Sequence, residues 1–113
     1  LIPMSTTSTG REAEQKVAEL LESEGHKIIK LNWRTRWCEI DIVSVKQKTV
    51  YFTEVKYRSS QDWGGGLEYI TPKKLKQIKF SAEFWLHENK WKGDALLQGA
   101  EVDETFVINI VEI

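Results

Sequence analysis

Two short apolar segments carry charge where a sheet interior has no use for it: Glu39-Ile40-Asp41 and, one hairpin later, Glu54-Val55-Lys56. The flanking Ile42, Val43, Val45, Val50, Tyr51, Phe52 and Tyr57 read as strands. Side chains alternate along a strand, so Glu39 and Asp41 are expected on one face, and Glu54 and Lys56 on one face of the next strand. If those faces coincide, three carboxylates and an ammonium converge. Close carboxylates repel each other unless a cation sits among them. A hard divalent ion with oxygen ligands, Mg2+ with Mn2+ as substitute, is the expected occupant. Asp41 and Glu54 would hold it, with the Val55 backbone carbonyl as a third ligand. Lys56 would orient a water and offset the charge that builds up on a phosphate. The chemistry expected is metal-assisted hydrolysis of a phosphodiester.

The elements that must position these groups follow from local pattern. Thr9-Gly10-Arg11-Glu12 fits a capping box and predicts a helix from about Gly10 to Ser23, stopping near Gly25. Ala13, Val17, Ala18, Leu20 and Leu21 form its apolar stripe. At about 100° per residue Glu14 falls on that same stripe. A carboxylate aimed at a core needs a partner or a metal, unless it reaches water at the stripe's edge. Glu14 thus becomes a fourth candidate, catalytic and metal-ligating roles both being open to it, as a further ligand role is to Glu39. Glu39 is otherwise expected behind the metal or as a partner for Arg36 or Arg58. Strands are predicted over 27–33, 36–45 and 48–57, the last two as an antiparallel hairpin. The segment 58–69, with Gly64-Gly65-Gly66, reads as a loop. Thr71-Pro72 starts a second helix running to about Asn89. Strands over 93–102 and 105–113 follow. The second helix is apolar on two faces, with Phe80, Phe84 and Trp91 on the outer one, which points to a homodimer interface.

The 113 residues suffice for one compact domain, expected over 10–113 behind a flexible tail over 1–9. The single cysteine, Cys38, allows no intrachain disulfide and fits a reducing, cytoplasmic setting. No apolar run approaches the ~20 residues of a membrane span, and no signal-peptide pattern opens the chain. A net charge of −1 hides an asymmetry: residues 32–92 sum to +5 and residues 93–113 to −5. The middle of the chain is a usable polyanion surface, or simply a solvated mixed-charge one. Trp33-Arg34-Thr35-Arg36-Trp37 interleaves aromatics with arginines. Arg34, Arg36, Arg58, Lys73 and Lys74 are candidate phosphate contacts, and Trp37 and Trp63 candidate base-stacking groups. Trp33 is expected in the core.

The pattern resembles the PD-(D/E)XK, restriction-endonuclease-like superfamily, and within it the small YraN-like family. The matching residues are Gly10, Ala13-Glu14, Asn32-Trp33-Arg34, Glu39-Ile40-Asp41-Ile42-Val43, Phe52-Thr53-Glu54-Val55-Lys56-Tyr57-Arg58-Ser59-Ser60, Lys73-Lys74 and Asp94. They run in order over most of the chain. Cys38 departs from a usual Gly, and Thr53 from a usual apolar residue. The resemblance implies an α/β fold with an α-β-β-β-α-β core, a mixed central sheet flanked by helices, and a Mg2+ site. It implies similarity to dimeric archaeal Holliday-junction resolvases, with Glu14, Asp41, Glu54 and Lys56 catalytic. The function expected is a DNA endonuclease, acting on branched or damaged DNA. The alternatives are an RNA or tRNA nuclease on the same fold, toxin domains included, and a non-catalytic nucleic-acid-binding protein.

Overall fold

The computed structural model describes residues 5–59 and 70–113, with side chains from Gly10 onward. Its elements are α1 (Ser5–Ser23), β1 (Lys27–Arg34), β2 (Glu39–Lys46), β3 (Thr49–Arg58), α2 (Pro72–Glu88), β4 (Asp94–Asp103) and β5 (Ile108–Glu112). The strands form one mixed sheet in the order β1-β2-β3-β4-β5. Only the β3–β4 pairing is parallel, and α2 lies between those two strands in sequence, as a parallel crossover requires. The expected α-β-β-β-α-β order is present, with β5 added at the edge. Trp63 and the glycine run lie outside the described residues, as do residues 1–4 of the expected tail.

The helix boundaries have local causes. Thr71 caps α2, its Oγ1 accepting the Lys74 N–H at 3.1 Å, with Pro72 in the first turn. At the end of α1, Gly25 adopts φ +95° and the His26 N–H reaches back to the Leu21 carbonyl at 2.9 Å. That bond closes the helix in a glycine-terminated C-cap. The start of α1 differs from expectation: helix begins at Ser5, so Thr9 lies inside it rather than capping it. Helix propensity is a weak prior, and Ser and Thr carry only a modest penalty within a helix.

One helix covers each face of the sheet. Ala13, Val17, Ala18 and Leu21 of α1 pack with Ile42, Ala100 and Val102. Ile78, Ala82 and Trp85 of α2 pack with Ile40, Val43, Val50 and Phe52, where Phe52 and Trp85 meet edge-on at 5.5 Å. The outer face of α2 is partly used within the monomer. Phe84 packs near Trp33, which is half-buried, and Trp91 lies against Trp85. Of the three residues expected at a dimer interface, Phe80 alone is exposed. Thr53 is fully buried, and its Oγ1 accepts from Gln98 Nε2 at 3.0 Å, which satisfies the hydroxyl in an otherwise apolar position.

Strict alternation fails at the register shift between Ile28 and Lys30, which leaves Ile28 and Leu31 on one side, and again beyond Leu31. Leu31 and Ile42 pack on the α1 side, yet Trp33 and Ile40, their next neighbours by period two, pack on the α2 side. The ladder joins Leu31 to Ile42 and Trp33 to Ile40, with Asn32 and Asp41 between. Asn32 has φ +50°. This left-handed residue, tolerated by Asn better than by most, rotates the strand so that both partners change faces together. Ile40 and Ile42 thus lie on opposite faces, while Glu39 and Asp41 still line one cavity.

Gln47, in the β2–β3 turn, sits at φ +56°. A left-handed conformation costs an L-residue about 1–2 kcal/mol, partly offset in glycine by its greater unfolded-state freedom. Gln47→Gly is expected to stabilise the fold by about 0.5–1 kcal/mol, a rise of a few degrees in Tm. Thermal denaturation checks this, and a lowered Tm would refute it.

Candidate active site

Strands β2 and β3 pair from Lys46–Thr49 up to Ile42–Thr53. Past that point a side chain takes over from the backbone. Asp41 Oδ2 accepts the Val55 N–H at 2.8 Å. On the other side of β2, Ser81 of α2 accepts the Glu39 N–H at 3.3 Å. Both N–H groups are thus satisfied without a continued ladder, and the strands can part. A cavity of about 400 Å³ is lined by Glu39, Asp41, Glu54, Val55, Lys56 and Lys74. Glu54 and Lys56 share the α2 face of a regular β3, as alternation requires.

The expected residues do not all take expected places. Asp41, Glu54 and Lys56 come together as expected. Glu14 lies at the inner stripe of α1, where Asn32 Nδ2 donates to its Oε1 at 2.6 Å. It lines an adjoining hollow with Gly10, Arg11, Asn32 and Arg34. Glu39 is an exposed rim residue, and its partner is Arg34 at 3.0 Å, across the β1–β2 pair, rather than Arg36 or Arg58. Arg58 points to β4, where Glu101 meets it at 3.0 Å. Lys73 is exposed on the first turn of α2. Lys74, expected on a backbone-tracking surface, instead enters the cavity and pairs with Glu54 at 3.2 Å. Nothing in the spacing of the lysines distinguishes Lys74 from its neighbours, because the contact depends on how the crossover docks α2. A larger hollow, about 560 Å³, lies at the opposite end of β2 and β3 around Gln47, Lys48, Lys90 and Trp91 and contains no carboxylate.

Burial first, and then neighbouring negative charge, holds these carboxyls above their ordinary range. Burial lifts the Glu54 carboxyl from 4.5 to about 7, helped by the negative charge of Asp41 and opposed by Lys74. Burial likewise lifts Glu14 to about 7, with Asp41 the next cause and Arg34 opposing. Asp41 is raised chiefly by burial, against the stabilising Val55 N–H. Asp41 and Glu54, both resisting ionisation on one cavity, attract a proton or a cation, and Glu14 adds its charge from the adjoining hollow.

Among the described residues, no three carboxylate, imidazole or thiol groups stand close enough to form a ready-made ion cage. Mg2+ does not need one: it keeps several waters and binds through one or two carboxylates. Asp41 and Glu54 supply that pair, and the Val55 backbone lines the same cavity. The donor set fits a hard divalent ion, provided that Lys74 releases Glu54. Two lysines, Lys56 and Lys74, line the same cavity.

Residues 13–112 match the family model described as Uncharacterised protein family UPF0102. A UPF0102 protein of Pseudomonas fluorescens strain Pf0-1 is 34% identical over 88 residues, 77% of this chain and 73% of its own length. One from Fusobacterium nucleatum subsp. nucleatum is 35% identical over 89 residues, covering 79% and 75%. One from Cytophaga hutchinsonii is 38% identical over 90 residues, 80% of each chain. No described helix is long and apolar enough to cross a membrane.

A carboxyl raised by folding holds its proton more tightly in the folded state. The Glu54 contribution is fully present below about 4.5 and is lost as pH rises through about 7. Glu54→Gln is therefore expected to raise stability in EDTA at pH 8, by about 1–2 kcal/mol after allowance for solvent screening, with little effect at pH 4. Thermal melts of both proteins at the two pH values check this. Equal melting points at pH 8 would show that the site does not strain Glu54.

Proposed function

This chain belongs to the uncharacterised protein family UPF0102, and, since that name carries no activity, we propose from the site that it is a Mg2+-dependent endonuclease of the PD-(D/E)XK superfamily, hydrolysing phosphodiester bonds in DNA. One observation carries this: Asp41, Glu54 and Lys56 line a single cavity where two antiparallel strands part. The site joins paired carboxylates for a cation to positive charge for a phosphate, which is what phosphodiester hydrolysis needs.

A divalent ion bound to Asp41 and Glu54, with the Val55 carbonyl as third ligand, would supply Lewis acidity and acidify a coordinated water. The chain's own groups do the rest. Lys56, which lines the same cavity, would orient the attacking water and offset the charge that accumulates in the transition state. Glu14, held by Asn32, accepts a proton or a water's hydrogen bond from the α1 side. The water oxygen bonds to phosphorus, and the bond from phosphorus to one deoxyribose oxygen breaks. One water proton ends on that leaving oxygen and the other on the new phosphate monoester or solvent. Arg34, Arg36 and Lys73, all exposed, supply contacts to neighbouring phosphates. A homodimer belongs to the same proposal, with Phe80 as its exposed anchor.

A second reading, a non-catalytic nucleic-acid-binding protein, is favoured by Lys74, whose ammonium already neutralises Glu54 as a metal would. Calorimetric titration with Mg2+ and Mn2+ separates the two, since the binding protein would take up neither.

Labelled four-way junction, duplex, single-stranded DNA and structured RNA, each with Mg2+, Mn2+ or EDTA, form the direct test. Metal-dependent cutting is expected, abolished in Asp41→Ala and reduced about 100-fold or more in Lys56→Ala. Preferred cutting of RNA would move the assignment to an RNA nuclease. Binding without cutting in every metal would establish the second reading instead.

A further inference from the structure

Trp37 is 65% exposed, more than any other large apolar side chain among the described residues. It does not hang on a loose loop. It belongs to the turn 35–38 that joins β1 to β2. The Thr35 N–H donates to the Cys38 carbonyl at 3.0 Å, and Thr35 Oγ1 accepts the N–H groups of Trp37 at 3.2 Å and Cys38 at 3.0 Å. The Cys38 side chain is buried and anchors the turn. The turn therefore holds the Trp37 backbone in place and presents a large aromatic ring mostly to solvent.

Two features say what the ring faces. The Arg36 guanidinium sits over the ring, 5.4 Å from its centroid, a cation–π arrangement that puts positive charge on one face of the indole. The turn also closes the end of the sheet that carries the cavity. Glu39, two residues on, lines the cavity, and Arg34, just before the turn, lines the hollow that holds Glu14. Two residues span at most about 7 Å, so the Trp37 backbone stands beside the rim. A cation and an open ring next to a phosphodiester site match a nucleotide: phosphate for the guanidinium, base for the indole.

Resting on the nuclease reading, we propose that the Arg36–Trp37 turn is a stacking platform for one unpaired nucleobase beside the cleaved phosphate. Within a continuous duplex each base is covered by its neighbours, so only an unstacked base offers its face to the indole. The substrate class is then nucleic acid carrying at least one unpaired nucleotide next to the cut, at a bulge, gap, flap or branch. Stacking is tolerant of base identity, so the platform selects structure rather than sequence.

The test measures binding of the full chain in EDTA, where no cutting occurs. The probes are fluorescein-labelled duplexes, fully paired or with a two-nucleotide bulge, in DNA and in RNA, and the DNA bulge with abasic sites. Wild type is expected to prefer the bulged probes. Trp37→Ala should weaken bulge binding about tenfold while changing duplex and abasic-bulge binding less than about twofold, and Trp37→Tyr should keep most of the affinity. Because the side chain is exposed, the variants should melt with wild type. Equal bulge binding by wild type and Trp37→Ala overturns the platform alone, and the cleavage reading stands. Equal losses on bulge and duplex overturn it too, by assigning Trp37 to backbone contact. A Trp37→Ala variant that alters only sedimentation makes the turn a chain–chain contact and likewise overturns it. A wild type that binds no probe overturns the platform and the nuclease reading together.

Discussion

The site depends on one hydrogen bond, from the Val55 N–H to Asp41 Oδ2. At the point where β2 would continue to pair with β3, a carboxylate replaces a backbone carbonyl as the acceptor. A charge-assisted bond of this type is worth about 1.5–3 kcal/mol and satisfies a buried donor that would otherwise cost a similar amount. It lets the sheet open without leaving an orphan and sets one carboxylate in the gap, its second oxygen not used by that bond. Structure and proposed chemistry thus draw on the same side chain. Ser81 of α2 gives the Glu39 N–H its acceptor, so the opening is held both within the sheet and from the helix above it.

What the site takes from stability, the two cores return. Glu14, Asp41 and Glu54 all resist ionisation, chiefly through burial. The apolar clusters under α1 and α2 lie on opposite faces of the sheet, and each brings a helix whose polar end reaches the site. α1 contributes Glu14 while its stripe of Ala13, Val17, Ala18 and Leu21 is buried. α2 contributes Lys74 and Ser81 while Ile78, Ala82 and Trp85 are buried. The helices therefore act as packing elements and as carriers of charge at once.

Much of this was legible in local pattern. The Thr71-Pro72 start, the glycine stop of α1 and the β2–β3 hairpin obey rules that act within a few residues. So does the pairing of Glu54 with Lys56 on one face of β3. The misses share a different cause. The face change at Asn32 and Asp41 is set by one left-handed residue, which alternation cannot anticipate. Arg34, rather than Arg36 or Arg58, meets Glu39 because cross-strand register decides which arginine stands opposite. Lys74 enters the cavity because the crossover brings the start of α2 over β3. Each of these is a tertiary fact about two elements, not a property of either segment. The capping-box signal at Thr9 was a true pattern in the wrong place, since the helix starts earlier.

The parallel pairing of β3 with β4 has a kinetic side. Ten residue pairs, Thr49–Asp94 through Arg58–Asp103, join positions 45 apart in sequence. α1 and the meander of β1, β2 and β3 involve shorter closures and can assemble as soon as they leave the ribosome. Loop-closure entropy makes the β3–β4 ladder the late event of folding. Until β4 arrives, β3 is an edge strand, ten residues long and half apolar, open to pairing with another chain. Lys56 and Arg58, charged residues near one end of that strand, are then the gatekeepers against misassembly.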